Sequence, residues 1–192
     1  MRTLRRRYSS RCKAESADFV LAAADALIAR HKRRWLAYEL IRNHSAAFAA
    51  CGPRLDAMAD GLDDWGVTDA FGRTLAGPAW RGGMVGDAQV LAWAAAPDRW
   101  RRRLALVATV ALNAKVDGGD GDTPRTLAVC RALAGDRDDM VVKALSWALR
   151  ELVPRDRAAV ESFLAGTQVA ARVRREVGHK LATGLKSPRR SA

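Results

Sequence analysis

Apolar positions return every three to four residues along most of the chain, in short stretches cut by sharp breakers. That period is the signature of amphipathic helices. Ser16 is placed to cap a helix over 17–31, and a second stretch covers 33–50 before Cys51-Gly52-Pro53 stops it. A short piece over 54–62 leads into Asp63-Asp64-Trp65-Gly66, and another over 67–76 ends at Gly77-Pro78. Beyond Gly82-Gly83 the pattern predicts helices over 87–96, 98–113, 124–134, 138–153, 155–165 and 168–183. No alternating segment is long enough for a sheet. About ten helices with connections of a few residues give an all-α chain of stacked helical pairs.

A weak internal repeat agrees with stacking. A shift of about 40 residues lays Asp98, Trp100, Arg103 and Leu112 over Asp138, Met140, Lys143 and Leu152. Two-helix repeats of that length build HEAT-like solenoids, whose concave face is the usual binding surface. The expected architecture is therefore a HEAT-like helical-repeat solenoid over 15–186, with a basic arm at 1–14 and a basic tail at 187–192.

Helical angles then single out residues that core packing does not explain. In 138–153 the apolar stripe is Met140, Val141, Ala144, Leu145, Ala148, Leu149 and Leu152. Trp147 falls outside its centre, on the face that carries Lys143 and Arg150. An indole between two cations suits contact with a nucleic-acid sugar or base, or covers the rim of the core. In 98–113 the stripe is Trp100, Leu104, Val107, Ala108 and Ala111, with Arg103 on its edge. A guanidinium there needs a partner, either a structural carboxylate or a bound anion. Trp65 and Asp69 are one turn apart and share a face if the helix begins near Trp65. Asp69 could then be a site carboxylate, or simply cap the helix or pair with Arg73.

Charge narrows the partner. Lys and Arg number 33 against 21 Asp and Glu, a net charge of +12. A polyanion is the natural partner, nucleic acid before an anionic membrane surface, although an Arg-rich composition alone also makes a chain basic. Cys12, Cys51 and Cys130 are odd in number and widely spaced, which fits neither a disulfide framework nor a zinc site. A reducing, cytoplasmic setting is expected. His31, His44 and His179 lack ligand spacing, and no glycine-rich phosphate loop is present, so no metal or small-molecule cofactor is expected. The acid-free opening of the chain loosely matches an organelle transit peptide, but a phosphate-contacting arm is the preferred reading.

The three oddities coincide with one family. Trp65-x-x-x-Asp69, Trp100-x-x-Arg103 and Lys143-Ala-x-x-Trp147-x-Leu-Arg150-Glu151 resemble, in order, three motifs of the AlkD-type DNA alkylation repair glycosylases. Gly66 and Thr68 depart from the pattern, where many members carry Asp and Val. The resemblance implies a HEAT-like solenoid around duplex DNA; a monomer is expected. It also implies that Trp65, Trp147 and Asp69 face the damaged nucleotide, with Arg103 on the backbone nearby; Lys143 and Arg150, the cations flanking Trp147 on its polar face, are expected as further DNA contacts. The implied reaction releases N3- or N7-alkylated purines, which leave as neutral bases without a general acid while Asp69 faces the sugar cation. The competing reading is a non-catalytic HEAT-like module that binds nucleic acid or protein through the same groove.

Overall fold

The computed structural model describes residues 10–30 and 32–185. Among these, every regular element is a helix. In chain order they are α1 (Ala17–Ala29), α2 (Arg34–Arg42), α3 (Ser45–Ala50), α4 (Leu55–Met58), α5 (Trp65–Phe71), α6 (Gly77–Arg81), α7 (Asp87–Ala94), α8 (Arg99–Asn113), α9 (Thr123–Ala132), α10 (Asp139–Leu152), α11 (Arg157–Gly166) and α12 (Ala171–Thr183). Of the arm expected over 1–14, Cys12–Ala14 form a 3-10 turn. Residues 1–9, His31 and the tail at 187–192 lie outside the described residues.

Local capping starts most of these helices. Ser16, Asp64, Asp98, Asp122, Asp138 and Asp156 each accept a backbone N–H from the first turn that follows. Each such cap is worth about 1 kcal/mol. Asp98 and Asp138, the residues matched by the 40-residue shift, cap α8 and α10, which pack side by side.

Three expectations need correction. The stretch over 33–50 is two helices, because the His44 Nδ1 accepts from Ala47 N at 3.0 Å and starts α3 afresh. Its Nε2 sits 3.1 Å from the Glu15 carbonyl, so that nitrogen carries the proton. The helix expected over 54–62 regularises only as α4. Gly77-Pro78 does not end a helix. The chain runs from α5 through a π turn at Gly72–Ala76 directly into α6.

That π turn follows from packing against α8. A Cβ on Gly72 would meet Val107 Cγ1 at 2.7 Å, and one on Gly77 would meet Ala111 Cβ at 2.5 Å and the Ala108 carbonyl at 2.6 Å. Two glycines five residues apart would fall on different faces of an ordinary α-helix, with its 3.6 residues per turn. The wider turn brings both against α8 and lets the two backbones approach.

α8 is the central strut. From Arg103 to Asn113 every residue is buried, with α5, the π turn, α6, α7, α9 and α10 packed around it. The single stripe expected for this helix is thus a burial on all sides, as its nearly all-apolar C-terminal half requires. One core cluster extends from Val20 to Val177. Deep within it Asn113 is fully tied: its Nδ2 donates to Thr109 O and Thr126 Oγ1, and its Oδ1 accepts from Asp122 N. This arrangement fixes α8 as the floor onto which α5 lays the Trp65 region.

Candidate active site

Asp64 sets the direction of α5. Its carboxylate accepts from Val67 N at 2.9 Å, and its carbonyl accepts from Thr68 Oγ1 at 2.7 Å. The cap position is therefore filled by Asp64, which leaves Asp69 one turn along with no capping task. Thr68 is fully buried against the core, so Trp65 and Asp69 face outward together.

They open onto a cavity of about 370 Å³. Its walls come from four places: Trp35 and Glu39 on α2, Trp65, Asp69 and Ala70 on α5, Asp117 on the turn after α8, and Trp147 on α10. Arg73 and Thr74 of the π turn complete the rim. Trp65 is 61% exposed, although core packing normally covers an indole.

Behind the cavity Asp69 meets Arg103. The guanidinium grips the carboxylate with two hydrogen bonds, Nε to Oδ1 and Nη2 to Oδ2, both 2.8 Å. Nη1 of the same group donates to the Met140 carbonyl of α10. Arg103 is only 5% exposed, so its charge is matched at the floor of the site. Of the two partners open to it, the carboxylate is the one in the structure. Burial raises the Asp69 pKa above the ordinary carboxylate value, against the pull of Arg103.

Arg73 does not pair with Asp69 at one helical turn. It holds Asp117 through two bonds of 2.8 Å, and this bonding lifts its own pKa. Its Cζ lies 5.7 Å from the centre of the Trp147 ring, while the Trp147 Nε1 donates to Glu151 Oε1 at 3.0 Å. The indole is thus held by a cation on its face and a carboxylate at its edge.

The six residues singled out from the sequence fall into two groups. Trp65, Asp69 and Trp147 share the cavity, with Arg103 directly beneath Asp69. Lys143 and Arg150 stand on α10 away from its lining. Lys143 pairs with Asp139, and Arg150 reaches the Ser146 carbonyl at 3.2 Å and approaches Glu176 at 3.7 Å. Trp35, Glu39 and Asp117 were not anticipated. Trp35 was detectable only in part: it lies far around α2 from the buried Ala37, Leu40 and Ile41 and one turn from Glu39, but it is also one turn from the buried Tyr38. Asp117 gave no local signal.

Chemically the cavity presents indoles and a carboxylate held from below, a lining suited to a cation. Among the described residues no group of three or more His, Cys, Asp or Glu is placed to hold a metal ion. Nor is any described helix long and apolar enough to cross a membrane. Searches of curated proteins and of solved structures give no match. A family does match, over residues 1–181, and the chain belongs to it: the DNA alkylation repair enzymes.

Proposed function

We propose that the protein is an AlkD-type DNA glycosylase with HEAT-like repeats, which releases N3- or N7-alkylated purines from duplex DNA. The single observation that carries this reading is the meeting of Trp65, Trp147 and Asp69 on one open cavity, with Asp69 oriented by Arg103. The alkylated base already bears positive charge, so the N-glycosidic electron pair leaves with it and yields a neutral purine. The sugar is left with oxocarbenium character. Asp69 faces that cation, orients a water onto the anomeric carbon and receives its proton. The indoles of Trp65 and Trp147 stabilise the same charge by about 0.5–2 kcal/mol each.

Arg103 acts in this reading through Asp69. Two of its nitrogens hold the carboxylate and the third holds the Met140 carbonyl, so it keeps the base of the site in register. Phosphate contacts then fall to cations at the surface. Lys143, a third exposed on α10, is one of these; Arg150 on the same helix is mostly buried and bonded to the Ser146 carbonyl, so a phosphate contact from it would cost that bond. The net charge of +12 supports a polyanion across a concave face of the solenoid.

The decisive experiment incubates the protein with methylated duplex DNA and separates free bases by chromatography. Free 3-methyladenine or 7-methylguanine, absent in a parallel reaction with Asp69→Asn, supports the reading. Binding without release would move the protein to the non-catalytic alternative.

A further inference from the structure

We propose that Trp35 and Glu39 form a subsite for the positively charged purine ring itself, separate from the sugar-facing roles given to Trp65 and Trp147. The inference rests on the glycosylase reading and adds a specificity determinant to it.

Trp35 is 54% exposed on α2, while its neighbours Ala37, Tyr38, Leu40 and Ile41 are buried. The helix therefore has an apolar face that satisfies the core without it. The indole is instead turned into the cavity that Trp65 and Trp147 reach from α5 and α10. A single exposed apolar residue needs no explanation, but two largely exposed tryptophans from different helices on one cavity mark a ligand surface. Glu39 follows Trp35 by one helical turn and lines the same cavity.

Charge identifies the ligand. In a chain of net charge +12, this cavity is lined by three carboxylates, those of Glu39, Asp69 and Asp117, and one guanidinium, that of Arg73. Arg73 is matched by Asp117 through two hydrogen bonds, and Asp69 by Arg103 beneath it, so the lining offers a phosphate no unmatched cation. Such a lining disfavours phosphate and favours a flat cation, which indole faces attract through their ring quadrupole. An alkylated purine differs from its parent by the charge that this wall reads. Trp35 and Glu39 thus discriminate the damaged ring, while the other two indoles attend to the sugar.

The test measures binding of 7-methylguanosine and guanosine by equilibrium dialysis at mildly acidic pH, where the methylated ring is fully cationic. The wild-type protein is expected to prefer the methylated nucleoside by about tenfold. Trp35→Ala should erase the preference and Trp35→Phe should keep most of it. Because Trp35 is exposed, its melting temperature serves as a folding control. Equal affinity of the wild type for both nucleosides, or a preference that survives both Trp35→Ala and Glu39→Gln, overturns the proposal. The same preparations are assayed on methylated duplex DNA. A Trp35-dependent preference without base release would defeat the glycosylase reading and leave the cation subsite standing; release with no such preference would do the reverse.

Discussion

Arg103 and Asp69 face each other across the α5–α8 contact in a two-pronged ion pair, with both N–O distances at 2.8 Å. The pair links the most buried cation of the molecule's central helix to the carboxylate on the open cavity. It explains how an arginine can sit among α8's apolar residues, and why Asp69 has a fixed direction. In the proposed glycosylase, stability and chemistry are therefore coupled at this one contact.

Asp69→Asn is expected to lower base release by about a hundredfold or more, or about 3 kcal/mol, because the charge facing the sugar cation is lost. It should also set the Asn NH2 against one of the two Arg103 N–H donors, a donor–donor clash that a protonated carboxyl does not create. Since Asp69 is 16% exposed at its side chain and Asn still accepts a hydrogen bond, that cost is about 2 kcal/mol, or a fall of about 4–8 °C in melting temperature. A cycle with Arg103→Met separates the effects. The double variant should recover stability relative to the single changes and recover no activity. Activity returning with stability would show that Asp69 serves only the fold.

The raised pKa of Asp69 gives opposite pH trends for folding and turnover. Its folded value stands above the unfolded one, so the native state holds this proton more tightly. That contribution to stability is complete below the unfolded pKa and is lost as pH rises through the folded value. The proposed mechanism needs the ionised form, so single-turnover release should climb through an inflection above the ordinary carboxylate value of about 4 and then level off. A rate already at its plateau at pH 4 would contradict this assignment.

Much of the helix inventory was legible because its signals are local. Asp98 and Asp138 cap their own helices, and Gly82-Gly83 and Pro97 lie between helices as breakers do. Gly77-Pro78 was misleading because the reason for the glycine is not local. It makes room for Ala111, far along the chain, and only the packed structure distinguishes that need from a turn. Within the site, Trp65 and Asp69 were paired correctly as neighbours on a face, since one turn of helix suffices to see it. The partner of Arg73 is Asp117, 44 residues away, and no periodicity reaches that distance.

Gly77→Ala tests the close approach directly. The added methyl would stand 2.5 Å from Ala111 Cβ and 2.6 Å from the Ala108 carbonyl, so α6 must move away from α8. Overpacking of this kind costs about 1–3 kcal/mol. Gly135→Ala, where no atom lies within 4 Å, is the control and should leave the melting temperature nearly unchanged. Equal melting temperatures for the two variants would show that the α6–α8 contact is looser than drawn.

Binding to undamaged duplex DNA should weaken steeply with salt. If about five phosphates are neutralised by the excess of 33 Lys and Arg over 21 Asp and Glu, the log–log slope is about −4 to −5. Lys143→Ala should reduce that slope by about one and leave base release from bound DNA intact. A flat response to salt would remove the phosphate backbone as the partner.

Asp117 offers the sharpest test of how Trp147 is held. Its carboxylate is the two-bond partner of Arg73, whose guanidinium lies over the Trp147 ring. Asp117→Asn weakens that grip and leaves a less compensated positive charge beside the place where the sugar cation develops. Release should fall by about tenfold, corresponding to about 1.4 kcal/mol, through the chemical step. Affinity for intact DNA should hold or tighten, because a carboxylate has been removed near the phosphates. Arg73→Met removes the unmatched cation along with the clamp. If the charge is what harms Asp117→Asn, adding Arg73→Met should restore part of the rate. If instead the lost orientation of the indole is what matters, the double variant should be as slow as the single one. A purely structural pair would show neither pattern, only a lower melting temperature with the rate on folded protein unchanged.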